Sequence, residues 1–333
     1  MPQTVLFDAF GDASVMRKEQ ISSPEPGPGE VRLRIRAIGI NRAEILFRAG
    51  QYVGDPDFPS QLGYEAAGEI EAVGPDVADW FVGDRVSVIP AFAIDAYGLY
   101  GEVSLAPARA LVAVPDNMDW THAAAVWMQY GTAWGGLIQK ANLRAGETVL
   151  IPAASGSVGL AAIQIAKMVG AKPVALTRRA DKSSALLAAG AAAVIVTEEQ
   201  DLVTEVMKLT DGKGADVAFD PVGGPAFTPL LEAIAIGGRV VIYGSLSPEA
   251  TTLPLVNMML RDITLRAYAF AFEMHQNDKI QAMKNFVLPG LISGELSPVI
   301  ARTFDFNDLP DAHHYLEQNA HIGKVVVTVD PGE

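Results

Sequence analysis

In GPGEVRLRIRAIGIN, Val31, Leu33, Ile35 and Ala37 alternate with Arg32, Arg34 and Arg36. That is the two-residue period of a strand with one buried face, entered from a Pro/Gly loop. AAGEIEAVG and GDRVSVIPA predict two more strands, each bounded by turn glycines, and GEVSLAPARALVAVP adds a pair broken near Pro107. Short strands punctuated by glycine and proline suggest a barrel or sandwich rather than βαβ repeats.

From about residue 121 the rhythm changes. THAAAVWMQYGTAWGGLIQKA is helical and leads to the strand ETVLIPA, then to a helix through GLAAIQIAKMVG. There follow strand KPVALT, helix DKSSALLAAG, strand AVIVT, helix EQDLVTEVMKLT, strand DVAFD, helix AFTPLLEAIAIG, strand RVVIYG and strand ITLRAYAF. Strands alternating with helices of this length predict a parallel, doubly wound sheet. The tail holds helices at NDKIQAMKNFVLPGLISG and LPDAHHYLEQNA and a closing strand GKVVVTV. That strand is expected to return to the N-terminal part. The expectation is an α/β chain with an all-β domain over residues 1–124, a doubly wound domain over 125–270, and 271–333 returning to the first.

Half of the 333 residues are apolar, enough for a core in each of two domains. The formal charge of −14 argues against nucleic acid, whose phosphates would be repelled, and against an anionic membrane surface. No apolar run approaches the roughly 20 residues of a membrane span. The N-terminus lacks the basic segment and apolar stretch of a signal peptide, so a cytoplasmic protein is expected. With no cysteine, disulfides, thiolate nucleophiles and cysteine-ligated zinc are all excluded.

One stretch carries candidate chemistry. Ala154-Ser155-Gly156-Ser157-Val158-Gly159 fits G-x-G-x-x-G with alanine first, between a strand and a helix. Such a turn is tight, lets the backbone approach a pyrophosphate, and offers it the free N–H groups of the helix start. The alternative is a small-residue turn chosen for packing. At the end of the next strand, an acid for the ribose hydroxyls of NAD is replaced by Thr177, Arg178, Arg179 and Lys182, with Asp181 alone to offset the cations. In an acidic chain this cluster reads as a 2′-phosphate site, making NADPH the expected cofactor; the bland reading is a solvated basic corner.

With these features the chain resembles the medium-chain dehydrogenase/reductases over essentially its whole length. The resemblance implies a GroES-like β-barrel domain paired with a Rossmann domain, with substrate bound between the two. Zinc-dependent alcohol dehydrogenases of this kind carry G-H-E-x-x-G with the histidine on the metal, where this chain has Gly63-Tyr64-Glu65-Ala66-Ala67-Gly68; Asn41 stands at the usual cysteine ligand. No metal site is expected. The resemblance is nearest to the zinc-free NADPH:quinone oxidoreductases and 2-enoyl thioester reductases, which share an asparagine at Asn41 and a tyrosine at Tyr52. Beside the turn's own contacts at Ser155, Gly156, Ser157 and Val158, it implies cofactor contacts at Gln129 and Thr132, at Tyr243, Gly244, Ser245 and Leu246, at Tyr268, Ala269 and Phe270, and at Lys324. It also implies a homodimer through the edge strand DITLRAYAF.

Chemistry without a metal points to hydride addition to an electron-poor π system, a quinone or an enone. Tyr52 is the expected proton donor and Asn41 the orienting amide, against readings of a rim aromatic and a turn residue. Tyr64 takes the volume of the missing histidine and either touches substrate or fills space. Glu65 is expected to serve structure or cofactor positioning, and His313, His314 and His321 to be surface or capping residues. Two alternatives stay open: a dedicated 2-enoyl thioester reductase, and a non-catalytic NADPH-binding structural or sensor protein.

Overall fold

The computed structural model describes residues 1–329. The chain divides into two compact units, one of Met1–Met128, Ala271–Gln281 and Pro298–Glu333, the other of Gln129–Phe270 and Ala282–Ser297. Where the sequence reading carries all of 271–333 to the first unit, residues from Ala282 to Ser297 group with the second. The reason lies in their contacts: Gln164 donates to the Ser297 carbonyl (2.9 Å) and accepts from its N–H (3.0 Å), and Gly290 packs against Met168.

The first unit is built on the strand Glu30–Ile40. Its Val31, Leu33, Ile35 and Ala37 are fully buried, while Arg34 and Arg36 on the other face pair with Glu71 and Glu69. The sheet runs in the order Ile300–Asp305, Lys324–Thr328, Glu30–Ile40, Ala66–Val73, Arg85–Val88, Leu111–Ala113, with Val103–Pro107 also on Glu30–Ile40. The strand Lys324–Thr328 lies antiparallel to Glu30–Ile40, Val325 opposite Ile40. Beyond Ala37 the alternation stops and Ile38, Gly39 and Ile40 are all buried, so the strand end is covered on both faces. The candidate site lies at that end.

Two features of this unit escape the hydrophobic pattern. The pair Gln3–Phe7 and Met16–Gln20 forms a small antiparallel sheet with Ser60–Gln61, although Met16–Gln20 is too polar to read as a strand. The segment after Asn41 is a helix, Arg42–Arg48, whose apolar and charged residues are buried together.

The second unit holds six parallel strands in the order Ala193–Val196, Lys172–Thr177, Thr148–Ile151, Ala215–Asp220, Ile234–Ile242, Thr264–Ala267. By sequence rank this is 3-2-1-4-5-6, the Rossmann order, with the switch point at Thr148–Ile151. The expected helix through Ile234–Gly237 is shorter: it ends at Glu232 and Ile234 opens the next strand. The helical stretch after residue 120 is also broken, into Trp120–Ala123, Trp127–Trp134 and a π-helical turn Gly135–Lys140. A Cβ on Gly135 would lie 1.8 Å from the Tyr268 hydroxyl and one on Gly136 2.1 Å from the Phe219 ring. Only glycine allows the turn to lie so close. Among the described residues no helix is long and apolar enough to cross a membrane.

Candidate active site

In the second unit, the strand Thr148–Ile151 ends in the small-residue turn and the helix Ser157–Met168 follows with Gly156 at its N-cap. No side chain caps this helix, so its first N–H groups keep no side-chain acceptor. A Cβ on Gly159 would lie 2.6 Å from the Ala154 backbone, which explains the glycine as close strand–helix packing. At the neighbouring strand end, Lys182 Nζ donates to Ser155 Oγ at 3.0 Å, joining the basic cluster to the turn. Burial lowers the Lys182 pKa, and Arg178 and Arg179 lower it further against the pull of Asp181. Arg178 is exposed, and Arg179 forms an exposed ion pair with Asp181. An ammonium crowded by two guanidiniums is a place where an added anion gains. The turn and cluster therefore fit a dinucleotide carrying an extra phosphate.

Of the other nominated residues of this unit, Gln129, Thr132, Tyr268 and Phe270 are buried. Gln129 and Thr132 lie on the helix Trp127–Trp134. Tyr243 stacks on Phe219 at 4.0 Å between ring centres. Phe270 packs against Gly131 of that same helix and Tyr268 against Gly135 of the π-helical turn after it. Ala269, Ser245 and Leu246 are exposed and Gly244 lies close over Pro221.

In the first unit, the strand pairing brings Lys324 beside Asn41. Lys324 Nζ donates to Asn41 Oδ1 at 2.5 Å and to Glu65 Oε2 at 2.6 Å. Lys324 and Glu65 are both buried, and Glu65 Oε1 also accepts from the Met128 N–H at 2.9 Å. Asn41 Nδ2 is held by the Gly39 carbonyl at 3.0 Å, so the amide is oriented from both ends. The resemblance implies a cofactor contact for Lys324; here its ammonium is bonded to two side chains of its own unit.

Tyr64 is buried with its ring against Phe92, whose ring in turn meets Tyr97. Tyr52 is half-buried, and its hydroxyl is raised above the ordinary tyrosine pKa by burial and then by the charge of Glu44. It stays protonated at neutral pH. His313, expected at the surface, is completely buried and bonded to Arg48 and Tyr100. It is enclosed because the helix Leu309–Glu317 turns that face inward, with Leu309, Ala312 and Leu316. Tyr100, which the sequence offers as a pocket-lining or packing tyrosine, is buried, and Glu44, Arg48 and His313 are buried polar residues beside it that the sequence did not nominate for the site. The spacing Asn41-x-x-Glu44 could have signalled Glu44, since it is a capping-box pattern.

Residues 27–116 match the family described as "Alcohol dehydrogenase GroES-like domain" and residues 157–287 that described as "Zinc-binding dehydrogenase". A quinone oxidoreductase of Pseudomonas aeruginosa is 34% identical over 333 residues, covering 98% of this chain and 99% of the relative. The chain belongs to the medium-chain dehydrogenase/reductases. Among solved members of this fold, an NAD-dependent alcohol dehydrogenase superposes with a TM-score of 0.91 at 30% identity, covering 98% of this chain and 100% of that one. Escherichia coli quinone oxidoreductase complexed with NADPH superposes with a TM-score of 0.89 at 28% identity, covering 98% and 99%.

The zinc of some medium-chain dehydrogenase/reductases does not fit the donor set of this member. Tyr64 stands at the histidine position, and the oxygens of Asn41 and Glu65 both face an ammonium. A dication there would have to displace Lys324 from a buried ion pair. Among the described residues, no three His, Asp or Glu side chains gather as a set that could hold a metal ion.

Proposed function

We propose that this chain is an NADPH-dependent oxidoreductase that reduces quinones or enone-type C=C bonds without a metal. The observation that carries the reading is the Lys324 ammonium lying between Asn41 and Glu65, where zinc-dependent relatives would place metal chemistry. Bound NADPH would supply a hydride to an electron-poor carbon of the acceptor. Gly156, Ser157 and Val158 would hold its pyrophosphate through backbone N–H groups, and Arg178, Arg179 and Lys182 its 2′-phosphate. As negative charge develops on the acceptor oxygen, the Asn41 amide, oriented by Lys324 and Gly39, would lower its energy. Tyr52 Oη gives the proton that an enolate needs. A hydroquinone oxygen can take its proton from water, so quinone reduction depends on Tyr52 less.

The protein is further proposed to act as a homodimer in the cytoplasm. The strand Thr264–Ala267 is the edge of the parallel sheet, and the helix Leu255–Leu260 before it exposes Leu255, Val256, Met259 and Leu260.

The test is NADPH and NADH oxidation with a simple quinone, a short enone and a crotonyl-type thioester. Turnover confined to the thioester would favour an enoyl thioester reductase, and none on any acceptor a binding protein. The double variant Arg178→Ala/Arg179→Ala is expected to weaken NADPH binding at least about tenfold, with NADH nearly unchanged. Equal losses for both cofactors would overturn the 2′-phosphate assignment.

A further inference from the structure

Behind Asn41 and Tyr64 lies a buried line of polar side chains whose hydrogen bonds all run one way. The Arg48 guanidinium, which can only donate, lies 2.8 Å from His313 Nδ1. Nδ1 therefore accepts, the ring proton sits on Nε2, and Nε2 donates to the Tyr100 hydroxyl at 3.1 Å. Tyr100 lies beside the Glu44 carboxylate, whose charge, after burial, holds its hydroxyl protonated. Glu44 Oε2 accepts the Asn41 N–H at 2.6 Å and Oε1 the Tyr64 N–H at 2.8 Å. Glu44, Arg48, Tyr100 and His313 are at most 1% exposed. At the outer end Arg48 pairs with Glu317 at 2.5 Å and donates to the Gly11 carbonyl.

We propose that Glu44 is a positioning residue: at the end of the line through Tyr100, His313 and Arg48, its carboxylate clamps the Asn41 and Tyr64 peptide groups and so holds the Asn41 amide against Lys324. The proposal rests on the reading of Asn41 as part of the reducing site. Asn41 and Tyr64 stand on separate segments, one after the strand Glu30–Ile40 and one before Ala66–Val73, and a single carboxylate joins them. Both hydrogen-bond partners of Glu44 are N–H donors, one on each oxygen, and the protonated Tyr100 hydroxyl lies beside them, so its ionised form is the one that fits; a proton on either oxygen would face an N–H. A line of bonds running one way from a guanidinium to the hydroxyl beside that carboxylate also polarises each member.

The groups that face Glu44 are Lys324, which favours its charge, and Glu65, which opposes it, with Tyr52 and Tyr64 on the near side and Tyr100, His313 and Arg48 behind. Burial pushes the Glu44 carboxyl up to about 7, against the Tyr64 and Asn41 N–H groups and Lys324. His313 does not compete, because burial and Arg48 keep it neutral, well below the ordinary histidine range. The clamp should therefore loosen as pH falls through neutrality.

The experiment compares wild type, Tyr100→Phe and Glu44→Gln, each checked for folding by thermal melting. It measures kcat/KM for a quinone against pH and the NADPH Kd. Wild type should lose activity on the acid side with a midpoint near 7. Tyr100→Phe keeps the ring but removes the hydroxyl beside Glu44, and should move that midpoint up by about half to one pH unit with little change in NADPH Kd. In Glu44→Gln the acid limb should vanish. A folded Tyr100→Phe protein whose limb superimposes on wild type would overturn the proposal. If wild type reduces no acceptor, the functional reading fails, and carboxyl-carbon NMR of labelled glutamates decides the clamp alone. A glutamate signal lost in Glu44→Gln and displaced in Tyr100→Phe supports it; one that Tyr100→Phe leaves in place overturns it.

Discussion

Tyr52 and Lys324 divide the polar work of the first unit between a retained proton and a buried charge. The resemblance implies a cofactor contact for Lys324, and its ammonium is the counter-ion of Glu65, a buried pair whose disruption would leave a carboxylate uncompensated. Tyr52 keeps its proton at neutral pH because burial and Glu44 both oppose its ionisation. Tyr52→Phe should therefore lower kcat on enones by about 10²-fold or more, the usual worth of a placed general acid, and spare quinone reduction. Equal rates on enones would remove Tyr52 from the role. Asn41 was legible in the sequence through its family position, and Glu44 through its capping-box spacing. The Lys324–Asn41 contact was not, since it spans 283 residues and leaves no local mark. His313 was misread as a surface residue because a histidine beside charged neighbours in LPDAHHYLEQ has no periodic signature strong enough to show which face is buried.

At the scale of elements, the parallel strands were readable because each is a short apolar run between glycines or polar caps, and the order of types then implies the sheet. Boundaries failed where two elements abut. Ile234 begins a strand directly after a helix that ends at Glu232, and IAIG extends the apolar pattern of both. The helix Arg42–Arg48 was missed because it buries Glu44 and Arg48 along with Ile45 and Phe47, which erases the amphipathic stripe. The end of the strand Glu30–Ile40 is packed without slack. A Cβ on Gly39 would lie 2.1 Å from the Ala124 carbonyl oxygen, 2.9 Å from Glu65 Oε2 and 3.0 Å from Lys324 Cε. Gly39→Ala should thus destabilise the protein by about 1–3 kcal/mol, seen as a lower denaturation midpoint, and should lower turnover as well because the same Cβ displaces Lys324. An unchanged midpoint would show that the strand end can yield.

Over the whole molecule, the apolar helix Leu255–Leu260 stands out on an otherwise acidic surface, with Met259 72% and Leu260 79% exposed. If this face joins two copies, Met259→Asp/Leu260→Asp should sediment as a monomer at concentrations where wild type is a dimer, with the cofactor Kd unchanged. A net charge of −14 per chain also predicts a tighter dimer as salt rises from low ionic strength towards physiological values. Wild type sedimenting as a monomer throughout would refute the interface. The chain order of the first unit carries a consequence for its synthesis. Glu65 and the open flank of Glu30–Ile40 leave the ribosome early, but their partners on Lys324–Thr328 emerge only after the entire parallel sheet has been translated. At about 5–20 residues per second that delay is roughly 15–60 s. Throughout it, the nascent barrel presents an unpaired edge and a carboxylate without its cation, a window in which chaperone capture should favour the early domain over the one translated after it.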